Sequence, residues 1–249
     1  MKEIIEIISS IENANVNSNI KPTEIYNEGW MTRLLVYYSK QEEIELAGID
    51  FNLVNNWTSE ALLSSPFVGA QKVKEGYTHA DIALGDFNVD YKQNGKGSGK
   101  IIVNEDAKIF GIIEAKMGSP LSSFTTNAKD YNQASRTVAC IAKNVTNECK
   151  TFFYVVLPES KVNKKNRVKI SIADLVNKNE IKKQIVNRIS HHNLFNEEKL
   201  TDIVIIEKTE KCSVGIITYE DWIKLFTDET INKTLNEFYA KCKKWNNIK

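Results

Sequence analysis

The chain has 249 residues, 42% of them hydrophobic and 26% charged, with 4 Pro and 11 Gly. That composition excludes disorder, collagen and coiled coil, and the length suits one large globular domain or two small ones, with a substantial core. With 33 basic residues against 32 acidic, the formal net charge is +1, so no overall field draws the protein to nucleic acid or an anionic membrane and any such contact has to come from a local patch.

Residues 2–12 carry Ile4, Ile5, Ile8 and Ile11 at helical spacing, which predicts a short amphipathic helix. The same stretch has no small-residue cleavage site after a basic region, and no segment reaches the roughly 18 apolar residues that span a bilayer. A cytoplasmic protein with no membrane association is therefore the expectation. Pro22 and the spacing of Ile25, Met31, Leu34, Leu35 and Tyr38 predict a helix over 22–39. The acidic, apolar stretch 42–63 reads as a further helix with a loop at Asn55 and Asn56. From Ala80 to Tyr91 apolar and polar residues alternate as in a strand, QNGKGSGK forms a basic turn, and IIVN before Glu105 is a small extra strand.

The run KIFGIIEAK, residues 108–116, reads as a strand buried on both faces with a polar tip. A helix over 125–143 and an apolar strand over 151–158 follow, which suggests a crossover. Beyond them lie a short strand in KKNRVKISI, a helix over 172–190, strands at 203–206 and 214–218, and a helix opening at Tyr219. The whole is read as one mixed α/β domain over 1–249, with a core of about 20–225 and helical additions at the amino end. The cysteines Cys140, Cys149, Cys212 and Cys242 are too widely spaced for a metal-thiolate framework and read as reduced structural thiols.

Chemistry is expected where charge ends an apolar run. Glu114 and Lys116 close the strand IFGII; two residues apart, they share a face with their Cα atoms roughly 6.6 Å apart. If the strand from Asp81 pairs with that one, a second carboxylate comes alongside. Two carboxylates and a lysine at neighbouring strand ends suit a Mg²⁺-dependent phosphodiester hydrolase: the acids hold a hard cation, and the lysine orients or deprotonates the attacking water, or offsets charge in the transition state.

Asp81, then Glu114-Ala115-Lys116 at the end of an apolar strand, then a helix with Gln133 in YNQASR, resembles the PD-(D/E)XK nuclease superfamily. Glu28 in NEGWMTRLL matches the acidic residue that many members carry on the first core helix. The likeness runs from Glu28 to Pro158, about half the chain, and it departs from the pattern in having Ala80, not Pro, before Asp81. Asp86 competes for the aspartate position, although on a regular strand its parity aims it away from Asp81.

The resemblance implies a restriction-endonuclease-like mixed sheet flanked by helices and a DNA endonuclease using Mg²⁺, with Mn²⁺ as a substitute. It implies Asp81 and Glu114 as metal ligands, Glu28 as an additional ligand or the organiser of a metal-bound water, Lys116 as the catalytic lysine, and Gln133 and Arg136 as supporting residues or phosphate contacts. It also implies a homodimer. Lys92, Lys96 and Lys100 in the hairpin could track phosphates, as could Lys161 to Lys169 and the tail KCKKWNNIK. No P-loop, helicase or methyltransferase element is recognisable, so no nucleotide cofactor is expected. His79 reads as a lining residue, and His191 and His192 sit at a helix end. A non-catalytic binding module on the same fold, and a nuclease acting on RNA or on branched structures, are the alternatives.

Overall fold

The computed structural model describes residues 21–67, 75–91, 99–125, 128–166, 169–195 and 202–248. The helix expected over 2–12 lies outside these, as do Lys92 and Lys96. The first described elements are a single turn, α1 (Pro22–Ile25), and the helix α2 (Glu28–Gln41). The one helix expected over 22–39 is split by Asn27, whose Oδ1 accepts the Trp30 N–H while its Nδ2 donates to the Thr23 and Glu24 carbonyls. A side chain that caps one helix from inside the pattern of another ends the first.

The helix expected in 42–63 does not form. A small hairpin stands there instead, β1 (Glu45–Leu46) and β2 (Ile49–Asp50), followed by a 3₁₀ turn (Phe51–Leu53) and a long strand, β3 (Asn56–Leu63). Ala47 and Gly48 both have positive φ, 50° and 79°, the geometry a two-residue hairpin turn needs.

The main sheet has seven strands in the order β5-β6-β3-β4-β7-β8-β9. Its remaining members are β4 (Thr78–Gly85), β5 (Phe87–Asp90), β6 (Lys100–Val103), β7 (Ile109–Ala115), β8 (Lys150–Leu157) and β9 (Ser213–Thr218). Strand β7 runs antiparallel to β4 and parallel to β8, and β8 runs parallel to β9. All seven residues of β7 are buried, as its apolar composition predicts for a strand covered on both faces. Gly111 permits the close fit, since a Cβ there would lie 2.4 Å from the Phe152 carbonyl oxygen.

Helices cover both faces. On one, α3 (Gln133–Asn144), α5 (Lys178–Phe195) and α6 (Asp202–Lys211) pack Val138, Ile185 and Ile205 against Phe110 and Ile112. On the other, α2, α7 (Tyr219–Lys224) and α8 (Glu229–Trp245) pack Leu35, Trp222 and Leu235 against Ile109 and Ile113. The period-two alternation along β7 assigns each side chain to its core.

Two expected strands are replaced. Residues 203–206 belong to α6, with Ile205 buried and Ile203 exposed, so packing overrides the β-branched run. The described part of KKNRVKISI holds no strand; its Ser171 makes a capping box with Asp174 for the short helix α4 (Ile172–Leu175), which its last residue begins. The helix expected over 172–190 is accordingly two, α4 and α5. Helix α8 lies beyond the expected core limit of 225 and buries Leu235, Tyr239 and Cys242. All four cysteines are free and buried; burial raises the thiols of Cys140, Cys212 and Cys242 to about 12 and that of Cys149 to about 11.

Candidate active site

The β4–β7 ladder stops at the pair Ile82–Ile113, one residue short of Asp81 and Glu114. The β3–β4 register likewise skips Asp81 and its opposite, Glu60, which holds a left-handed φ of 58°, an uncommon conformation for a non-glycine residue. Where the strands part, the Asp81 carboxylate takes the place of a backbone acceptor: its Oδ2 accepts the Ala115 N–H at 2.9 Å. Glu114 has the parity of Phe110 and Ile112 and so faces the α3 side of the sheet.

Lys116 Nζ donates to Glu114 Oε1 at 2.5 Å and stands 3.7 Å from Asp81 Oδ2. Gln133, the first residue of α3, donates from Nε2 to the same Glu114 oxygen at 2.5 Å. Its own position is fixed by the loop after β7, since its backbone N–H bonds the Ser122 carbonyl and its Oε1 accepts the Ser122 N–H. From the opposite face, Glu28 in the first turn of α2 accepts the Met117 N–H at 2.5 Å on Oε2. Sheet, crossover helix and amino-terminal helix thus converge on the polar tip of β7.

The Glu114 side chain is 2% exposed. Burial, reinforced by the nearby Asp81 charge and only partly offset by Lys116, pushes its carboxyl up to about 7. Burial alone would lower the Lys116 ammonium, but Glu114 and Asp81, with a contribution from Glu28, outweigh it and hold the group above its ordinary value. Glu114 therefore exchanges its proton near neutrality while Lys116 remains a firm cation.

Divalent magnesium takes hard oxygen ligands, and Asp81 and Glu114 offer them. Glu114 Oε2 is buried without a hydrogen-bond partner, an unsatisfied acceptor that a cation would complete. In type, the donors fit. Among the described residues no group of three or more His, Cys, Asp or Glu side chains stands at metal-binding spacing; the Lys116 ammonium is the cation between the two acids.

Asp86 lies apart from this cluster. At the far end of β4 it accepts the Lys108 and Ile109 N–H groups and the Asn55 side-chain amide. Its role is to close the bend between β4 and β5, where Gly85 has φ 131° and a Cβ would meet the Ile109 carbonyl oxygen at 2.1 Å. Arg136 is not drawn to the cluster either; it donates to the Tyr77 carbonyl and stands 3.8 Å from Glu75. Lys100 lies over the Tyr77 ring. Arg33 bonds Ser59 and stands 3.8 Å from Glu60. His79 is exposed, whereas His192 is buried beside Phe67. No described helix is long and apolar enough to cross a membrane.

No family model, no curated protein and no solved structure matches this chain.

Proposed function

We propose that this protein is a Mg²⁺-dependent nuclease of the restriction-endonuclease-like fold that hydrolyses phosphodiester bonds of DNA. One observation carries the reading: carboxylates from two adjacent strands meet a single lysine at the tip of a fully buried strand, and a glutamine from the crossover helix holds one of them. Burying Glu114, 2% exposed, and most of Lys116, 10% exposed, costs several kcal/mol per ion unless each is compensated, so a purely structural ion pair at this place is disfavoured. The order of α2, the antiparallel β3–β4 pair, β7, α3 and parallel β8 supports the fold.

Asp81 and Glu114 would hold the cation, with Glu28 near enough to Lys116 to raise its proton affinity and to join through ordered water. When bound, Mg²⁺ supplies Lewis-acid polarisation of the phosphoryl group and makes a water more acidic. Gln133 fixes the rotation of the Glu114 carboxylate through Oε1 and leaves Oε2 as its open acceptor. Lys116 keeps its proton and so presents positive charge where negative charge builds on the phosphoryl oxygens during in-line displacement. Glu28, through the Met117 N–H, pins the start of the loop that leaves the site.

The test is incubation of supercoiled plasmid and labelled single-stranded DNA with the purified protein in Mg²⁺ or Mn²⁺, beside Glu114→Gln and an EDTA control. Metal-dependent cutting that falls by at least about a hundredfold in the variant is expected. Equal cutting by the variant, or no cutting by the wild type with either metal, overturns the reading.

A further inference from the structure

A cleft of about 560 Å³ opens directly beside Lys116, within the size range of small-ligand sites, roughly 300–1,000 Å³. One wall is the loop that leaves β7, and the other is the segment leading into α4. Its floor is apolar, with Met117, Leu121, Ile172 and Leu175 all buried. Its charge is one-sided: Lys116, Lys161, Lys164 and Lys165 line it together with no Asp or Glu, in a protein whose net charge is only +1. The lysines feel one another, since burial and the neighbouring Lys164 lower the Lys161 ammonium, and an anion seated among them would relieve that. Phe124 lines the same cleft yet is 58% exposed, so its ring is available to a ligand.

An apolar floor, a free aromatic face and a cationic rim are the complement of a nucleobase on its sugar-phosphate. A base paired within a duplex is stacked on both sides and does not enter such a cleft, whereas an unpaired one does. We infer that the cleft receives an unpaired nucleotide next to the scissile phosphate, with its base against Phe124 and its phosphates beside Lys161, Lys164 and Lys165, so that the substrate is single-stranded or locally opened DNA. This inference rests on the nuclease reading and narrows its substrate.

The test is equilibrium binding by fluorescence anisotropy, in EDTA so that no cleavage occurs, of a labelled single strand and of the blunt duplex of the same sequence. The single strand is expected to bind at least about tenfold tighter, and Phe124→Ala to cost it about tenfold or more while leaving the duplex unchanged, as loss of one stacked base does. Lys164→Ala with Lys165→Ala should weaken the single strand and reduce the slope of log affinity on log salt by about 1.4. Phe124 and both lysines are exposed, so these variants fold, and circular dichroism verifies it. Duplex binding as tight as single-strand binding, or single-strand affinity indifferent to Phe124, overturns the inference and leaves metal-dependent cleavage to stand by itself. Binding that depends on Phe124 without any metal-dependent cleavage removes the nuclease reading instead and keeps the cleft as a nucleotide site.

Discussion

Glu114 concentrates the tension in this molecule, because the fold prefers it neutral and the proposed chemistry needs its charge. Its carboxyl sits at about 7, raised by burial from the 4.5 of a free glutamate, so protonation is favoured in the folded state. The stability this provides is complete below about 4.5 and is lost as pH rises through about 7, an effect on the order of a few kcal/mol. Lys116, held above its ordinary value, stays protonated over that window and adds no slope. In EDTA, melting temperatures of the wild type should therefore fall relative to those of Glu114→Gln as pH goes from 5 to 9, with the variant at least as stable at the alkaline end. Magnesium should restore the wild type there, since ionised Glu114 is the form that binds a cation. A wild-type pH profile parallel to that of the variant would mean that Glu114 is ionised throughout.

At the scale of elements, two aspartates divide the labour along β4, Asp81 within the strand and Asp86 at the bend that follows it. Asp81 lies where the ladder opens, whereas Asp86 accepts the Lys108 N–H at 2.8 Å and the Ile109 N–H at 3.3 Å. Asp86→Ala leaves those donors unpaired and should lower stability by about 2–4 kcal/mol, seen as a lower urea midpoint at unchanged slope, while cleavage per folded molecule persists. Loss of cleavage at unchanged stability would return Asp86 to the site. Strand β7 was legible because its apolar run ends abruptly in Glu114 and Lys116, and parity alone put them on one face. The hairpin at 45–50 was not, because Leu46, Ile49 and Leu53 also fall at steps of three and four, as in a helix; the discriminating signal is the Ala47-Gly48 turn. Residues 203–206 misled for the opposite reason, since a β-branched run suits a strand locally and here becomes helix by packing Ile205 into the core. Arg136 follows Gln133 by three residues and looks equivalent, but the Glu75 carboxylate, close in space and far in sequence, attracts it. Phe124 offered only the faint signal of an aromatic among polar residues.

At the scale of the whole molecule, the carboxyl-terminal helix decides how the amino-terminal acid reaches the site. Its lysine-rich end suggests a solvated tail, yet Asn246 donates to the Tyr26 carbonyl at 2.8 Å, Cys242 Sγ lies 3.7 Å from the Asn27 carbonyl, and Phe238 packs on Tyr26. Those contacts brace the residues just before Glu28, so α8 holds the start of α2 in the register that brings Glu28 to Met117. Leu235, on the same helix, is fully buried in the core that α8 shares with α2 and the sheet. Leu235→Ala removes its packing and leaves a cavity, and should cost about 2–5 kcal/mol. Because Trp222 and Leu235 share one core with the sheet, the loss should be felt by the entire domain: in a Trp245→Phe background, which removes the tryptophan at the end of α8, tryptophan fluorescence and far-ultraviolet circular dichroism should move to the same lower midpoint in a single transition. If helical signal were lost first while tryptophan emission held its wild-type midpoint, α8 would be an independent appendage, and the bracing of Glu28 would have to come from α2 and the loop after β7 alone.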